Sequence, residues 1–178
     1  MYVTTMIKGT MNWEQLSNAI RLGILQPGDK INIEGCDWKV LAKVNSSDGE
    51  GSVLIWKCTG VEDHVFNMNC SNTYEGSDIQ KYLQTDFRED LPEEMLQMVT
   101  DEGFFLLTVD QIMEYMPREA DRIATHEDGH TVWWWTSSPY VGGGYSVRSI
   151  YPSGNVYFGN AYDSIGVAPA CWLQSLHL

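Results

Sequence analysis

The sequence has little positive charge. Its 178 residues carry 11 Lys+Arg against 24 Asp+Glu, a net charge of −13, and binding to a polyanion needs clustered cations. Nucleic acid and anionic membrane surfaces are therefore not expected partners. Long apolar runs are also missing. Nothing approaches the roughly 20 apolar residues of a spanning helix, so membrane insertion is not expected. Cysteine is sparse: Cys36, Cys58, Cys70 and Cys171 form no C-x-x-C pair and lie far apart, which reads as isolated reduced thiols and not as a disulfide framework or zinc site. The opening MYVTTMIKGT has no basic stretch followed by an apolar core and a cleavage site, so Sec-type export is not expected. Without such a leader, the N-x-Ser matches at Asn45 and Asn69 read as chance.

What is present suffices for a packed core. At 43 % hydrophobic and 12 % aromatic, a chain of this length is expected to fold as one domain, 1–178, with no repeat or linker. Its charge is unevenly placed. Residues 1–130 hold 23 of the acids and 10 of the bases, whereas 131–178 hold only Asp163 and Arg148. That last stretch nevertheless carries ten of the 21 aromatic residues. An acidic scaffold is thus followed by a neutral, aromatic segment.

Local signals alternate between helix and strand. Asn12 with Gln15 three positions on predicts a capped helix from Trp13, ended by Gly23 and Pro27. Alternating Ile31, Ile33, Trp38, Val40, Ala42 and Val44 predict a hairpin turning at 34–37, with a further turn at 46–51 before a strand over 53–57. Ser77 predicts a second cap and Pro92 the first turn of another helix. The run FFLLTV at 104–109 reads as a buried strand and 110–116 as a brief helix. From 131 onward strands and loops are expected: 132–136, 145–151 and 156–158, a turn at 152–155, a Gly-Gly-Gly loop at 142–144 and a closing strand near 167–173. The fold class is α+β, with short helices packed on antiparallel sheets.

Several catalytic patterns fail on chemistry. His126-Glu127-Asp128-Gly129-His130 matches H-E-x-x-H, but that zinc motif needs a helix to project both imidazoles from one face. Asp128 and Gly129 are poor helix formers and a β-preferring run follows, so a polar turn with two solvent-facing histidines is expected. Asp86, Glu89, Asp90, Glu93 and Glu94 read as a solvated surface. Cys171, despite His177 nearby in sequence, reads as a buried inert thiol. No nucleophile elbow, phosphate loop or dinucleotide fingerprint occurs. No catalytic residue, metal or cofactor is expected.

The informative stretch is 140–166, YVGGGYSVRSIYPSGNVYFGNAYDSIG. Tyr, Gly, Ser and Asn make up 17 of its 27 residues, the composition of an antibody-like paratope. Lys, Glu, Gln, Trp and Met are absent from it. These are the residues that mutation of the two adenines of an AAC codon cannot produce.

GDKINIEGCDWKVL, VLIWK, the helix with Tyr82 and Leu83, FFLLTVDQIMEY, WWWTSSP and GVAPACWL follow one another in an order that resembles a gut bacterial and phage domain family with a C-type-lectin-like fold. Members of that family are similar to the variable proteins of diversity-generating retroelements, in which adenine-directed mutagenesis diversifies a stretch near the C-terminus. The resemblance covers about residues 25–174. It implies a framework of Trp133, Trp135, Ser138, Pro139, Gly154, Val156, Gly166, Val167, Pro169 and Ala170. It implies diversified ligand contacts at Tyr140, Tyr145, Arg148, Ile150, Tyr157, Phe158, Asn160, Tyr162, Asp163 and Ile165. The Glu-Pro-Asn and Trp-Asn-Asp signatures of calcium lectins are absent, so calcium-dependent sugar binding is not implied. The related formylglycine-generating oxidases need a cysteine pair, whereas Cys171 stands alone.

The expected function is therefore a non-enzymatic, receptor- or adhesin-like binding protein for a protein or cell-surface ligand, cytoplasmic or in a phage virion, with oligomers possible. The rivals are a metal-dependent or carbohydrate-active enzyme using His126, Glu127 and His130, and a structural subunit of a virion or surface assembly.

Overall fold

Capping chemistry starts the first helix where the sequence places it. In the computed structural model, which describes residues 2–5, 9–45 and 50–176, two short strands, β1 (Tyr2–Thr5) and β2 (Gly9–Asn12), lead into α1 (Trp13–Arg21). The Asn12 side chain accepts from the Gln15 backbone N–H, and the Gln15 side chain accepts in return from the Asn12 N–H, both at 2.8 Å. Trp13, Leu16, Ala19 and Ile20 are buried along one face, the spacing that gives a helix an apolar stripe.

Alternation then produces β3 (Lys30–Ile33) and β4 (Cys36–Asn45), paired antiparallel around the Glu34–Gly35 turn, and β5 (Gly51–Lys57) beside β4. Of the turn expected at 46–51, residues 46–49 lie outside the described residues. β6 (Glu62–Val65) precedes a run of short helices: α2 (Asp78–Gln84), α3 (Asp86–Glu89) and α4 (Glu93–Met98). Ser77 caps α2 by accepting from the Gln80 N–H. Pro92 stands at the N-cap of α4, one position before the expected first turn.

The strand expected at 104–109 does not form. Phe104, Leu106 and Leu107 are buried, but the segment is bridged only at Phe105, opposite Ala170. Its backbone groups go to separate partners: Phe105 pairs with Ala170, the Leu106 N–H donates to the Tyr74 hydroxyl, and the Leu107 carbonyl accepts from the Ser137 N–H. No ladder extends, and Thr108 then builds a capping box with Gln111 that starts α5 (Val109–Tyr115). A 3-10 turn at Glu119–Arg122 follows, then β7 (Ala124–Thr125) and β8 (Thr131–Val132). The last five strands are β9 (Trp134–Pro139), β10 (Ser146–Ile150), β11 (Val156–Asn160), β12 (Ser164–Val167) and β13 (Ala170–Gln174). The single closing strand expected near 167–173 is thus two strands, separated at Ala168–Pro169.

The fold is α+β, and its sheets are mostly antiparallel. One sheet runs β13-β5-β4-β3-β1-β2, the other β11-β10-β9-β12-β6, and β7 pairs with β8; the β12–β9 contact is parallel. Strands from 131–178 are interleaved in both large sheets with strands from the acidic part, because β13 pairs with β5 and β12 with β6. Tryptophans knit the sheets together. The Trp56 and Trp134 rings lie 5.1 Å apart, and the Nε1–H groups of Trp56, Trp134 and Trp135 donate to the carbonyls of Ala168, Arg122 and His64. Their polar edges are therefore satisfied where they are buried. No described helix is long and apolar enough to cross a membrane.

Candidate ligand-binding surface

β9, β10 and β11 form one end of the second sheet, and β11 is its outer strand. Register places Arg148 opposite Phe158 and Ser149 opposite Tyr157. Side chains at this end stack into a continuous aromatic band. Arg148 lies over the Tyr140 ring at 4.8 Å, Tyr140 stacks on Phe158 at 4.3 Å and 14°, and Phe158 stacks on Tyr157 at 5.0 Å. Tyr157 meets Tyr151 edge-on at 5.1 Å, and both reach Trp133, at 6.2 and 5.4 Å. Trp133 is fixed by donating from Nε1 to the Ser149 hydroxyl at 2.6 Å. Tyr151, Tyr157 and Phe158 remain exposed, so the band presents ring faces to solvent.

The backbone beneath the band is held from the acidic part of the chain. The amide nitrogen Nδ2 of Asn72 lies 3.1 Å from the carbonyls of Gly143 and Ser146 and 3.4 Å from that of Tyr140. The Asn72 backbone N–H donates to Gly144. One side chain thus staples the triglycine loop. Arg122, buried without a carboxylate, donates to the carbonyls of Met116, Pro117 and Gly154 at 2.7, 2.8 and 3.1 Å, fixing the turn between β10 and β11. Gly154 sits at φ +93°, and a Cβ there would run into the Glu119 carbonyl. Only glycine meets both conditions at low cost. At Gly159 the constraint is proximity, since a Cβ would lie 3.2 Å from the Trp133 ring.

The expected contact residues divide. Tyr140, Tyr145, Arg148, Tyr157, Phe158, Asn160, Tyr162 and Asp163 are exposed or half-buried. The Asn160 N–H donates to Asp163 and its amide lies 3.5 Å from the Tyr162 hydroxyl, a second polar group beside the band. Ile150 and Ile165 are at 0 % and 8 % exposure and belong to the core, so their side chains do not reach this surface. Ser149 and Ile150 are consecutive in β10 and face opposite sides of the sheet, both of them covered, with Ile150 packed in the cluster of Trp56 and Trp134, while Ile165 packs in the cluster of Trp135 and Phe66. Conversely, Tyr151 and the framework residue Trp133 join the band. Among the framework positions, Trp135, Gly154, Gly166, Val167, Pro169 and Ala170 are buried, Ser138 and Val156 half-buried, and Pro139 exposed.

The His126–His130 string closes the β7–β8 hairpin. The His126 N–H donates to the His130 carbonyl at 2.9 Å, a turn and not a helix. The histidines are not equivalent, which corrects the expectation that both face solvent. His126 is half-buried with Nδ1 2.9 Å from the Val61 carbonyl, while His130 is exposed, with Nδ1 3.0 Å from Asp128. The backbone hydrogen bond from His130, aided by its side chain, holds the Asp128 carboxyl below its ordinary value. Among the described residues no group of three or more His, Cys, Asp or Glu is placed to hold a metal. Asp86, Glu89, Asp90, Glu93 and Glu94 are all exposed. Cys171 is buried, and burial pushes its thiol well above the ordinary range; His177 lies outside the described residues.

Among the molecule's clefts, one of about 190 Å³ and one of about 460 Å³ share no lining residue with the aromatic band. Residues 102–175 match the family described as a domain of unknown function (DUF6273), a span that contains the whole band. No curated protein and no solved structure matches the chain.

Proposed function

We propose that the protein is a non-enzymatic ligand-binding protein whose contact surface is the band from Arg148 through Tyr140, Phe158 and Tyr157 to Tyr151 and Trp133, extended by Tyr145, Asn160, Tyr162 and Asp163. One observation carries the reading: six side chains from separate loops and strands stack in sequence, half-open to water, over a backbone pinned by Asn72 and Arg122. Rings already held against one another lose little rotational freedom on binding, and tyrosine offers large area with few rotors. Small ligands favour concave pockets. An open band suits a protein or another extended cell-surface ligand.

The proposal includes a C-type-lectin-like scaffold and diversification of the 140–166 stretch by a retroelement. Supporting it are the order of the motifs, the α+β architecture with mostly antiparallel sheets, the paratope-like composition, and the surface position of eight of the ten contact residues.

The test is binding to arrays of cell-surface proteins and glycans, with the wild type compared against a Y157A/F158A/Y162A variant of unchanged fold. Ligands retained by the wild type and lost by the variant support the reading; ligands retained equally by both sink it. For the retroelement component, the observation is the neighbouring DNA. A near-copy of the 131–172 coding stretch differing at adenines, beside a reverse transcriptase, is expected, and its absence removes that component.

A further inference from the structure

The cleft of about 460 Å³ beside β3 and β4 concentrates charge of the sign the chain otherwise lacks. Lys30, Lys39 and Arg118 line it with Asp121 as the one acid, against walls that include Tyr115 and Met116. Three of 11 bases but one of 24 acids gather there, so the cleft is formally +2 in a chain of −13.

The arrangement of these cations is unfavourable by itself. Register sets Lys30 directly opposite Lys39 on adjacent antiparallel strands, and like charges facing across a pair destabilise it. Among the described residues neither ammonium forms an ion pair with a carboxylate. The Lys39 ammonium donates to the Asp121 backbone carbonyl at 3.0 Å and lies 5.7 Å from the centre of the Trp56 ring. The Lys30 ammonium has no hydrogen bond or ion pair among the described residues. The Asp121 carboxylate is engaged by Arg118, at 2.9 and 3.2 Å. At Cys58 burial pushes the thiol up, Lys39 and Lys30 oppose that push, and Asp37 adds to it. Local conflicts of this kind are where functional or strained positions are expected.

We propose that this cleft binds a small dianionic phosphate group, as inorganic phosphate or a phosphate monoester. A monoester carries close to two negative charges at neutral pH with several acceptor oxygens, matching the two lysine ammoniums of the cleft, Arg118 being already paired with Asp121. The acidic remainder of the molecule repels an extended polyanion but leaves a small one free to enter. The site shares no residue with the aromatic band and stands independently of the function proposed for it.

The test is thermal melting of the full chain with inorganic phosphate at millimolar concentrations, ionic strength held constant with sodium chloride. A saturable rise in Tm beyond that in chloride is expected, with at least a tenfold higher half-saturation concentration in K30Q and in K39Q. Lys81→Gln, which changes an exposed lysine outside the cleft, keeps the wild-type response. In phosphate-free buffer K30Q melts no lower than the wild type, because its removal relieves repulsion. A phosphate response no greater than chloride, a response that K30Q and K39Q retain, or an equal response to succinate overturns the proposal.

Discussion

Trp133 and Trp134 are neighbours in the chain and belong to two different regions of the molecule. Trp134 is wholly buried against Trp56, its indole N–H taken up by the Arg122 carbonyl. Trp133 is half-buried, bonded to Ser149, and offers its ring to Tyr151 and Tyr157 on the surface. The same contrast runs through the whole neutral segment. Trp135, Val147, Ile150, Val167, Cys171 and Leu173 are core, whereas Tyr145, Tyr151, Tyr157, Phe158 and Tyr162 are surface. The division between core and surface band therefore follows the depth of each side chain and not the point in sequence where charge disappears.

The largest effect is expected from attacking the buried side. Trp134→Ala removes a fully enclosed indole from the junction of the two sheets and leaves a cavity, at a cost of about 3–5 kcal/mol in urea unfolding. A loss below about 1 kcal/mol would erase the distinction between Trp134 and Trp133. Gly154→Ala comes next. It forces a left-handed backbone onto a residue with a Cβ, at about 1–2 kcal/mol, and adds the displacement of the Glu119 carbonyl. Its measured destabilisation should reach about 2 kcal/mol, and the Arg122 bond to the turn should weaken with it.

Local chemistry was legible in the sequence where the interaction spans a few residues. Asn12 with Gln15, Ser77 with the Gln80 N–H, and the alternation of β3 and β4 act within one turn or one hairpin. The apolar run at 104–109 is buried without forming a strand because its backbone bonds go to Ala170, Tyr74 and Ser137, partners distant in sequence, and Thr108 already begins α5. The surface was legible as composition and only partly as residues. Alternation along β10 does not mark Ile150 as inward because both faces of that strand end are covered, and Ile165 is buried by partners distant in sequence. Asn72 and Arg122 carry no pattern in sequence at all, since Asn72 acts on residues about 70 positions away and Arg122 acquires its role from where three loops converge.

Asn72→Ala sharpens the comparison at intermediate size. It removes hydrogen bonds that tie the triglycine loop to the body, each of them worth about 1 kcal/mol. Because the loop is open to solvent, water replaces much of what is lost, and the expected destabilisation is about 1 kcal/mol. Hydrogen exchange separates loop from core in this case. The amides of 141–146 should exchange faster while those of β13 are unchanged, and equal acceleration of both would mean that Asn72 supports the whole fold.

The smallest effect belongs to Tyr145, and it tests whether the surface rings are dispensable to folding. Tyr145 is 69 % exposed, has no ring contact among the described residues, and binds Ala161 only through its backbone carbonyl. Its truncation to alanine deletes neither packing nor a side-chain hydrogen bond, so a change within about 0.5 kcal/mol is expected. Tyr157→Ala should cost more, about 1 kcal/mol, because it breaks contacts with Tyr151, Trp133 and Phe158. The order Tyr145 below Tyr157 below Trp134 in one denaturation series follows from depth alone. If Tyr145 instead matched Trp134, the tyrosines would be structural, and the surface proposed for binding could not change without loss of the fold.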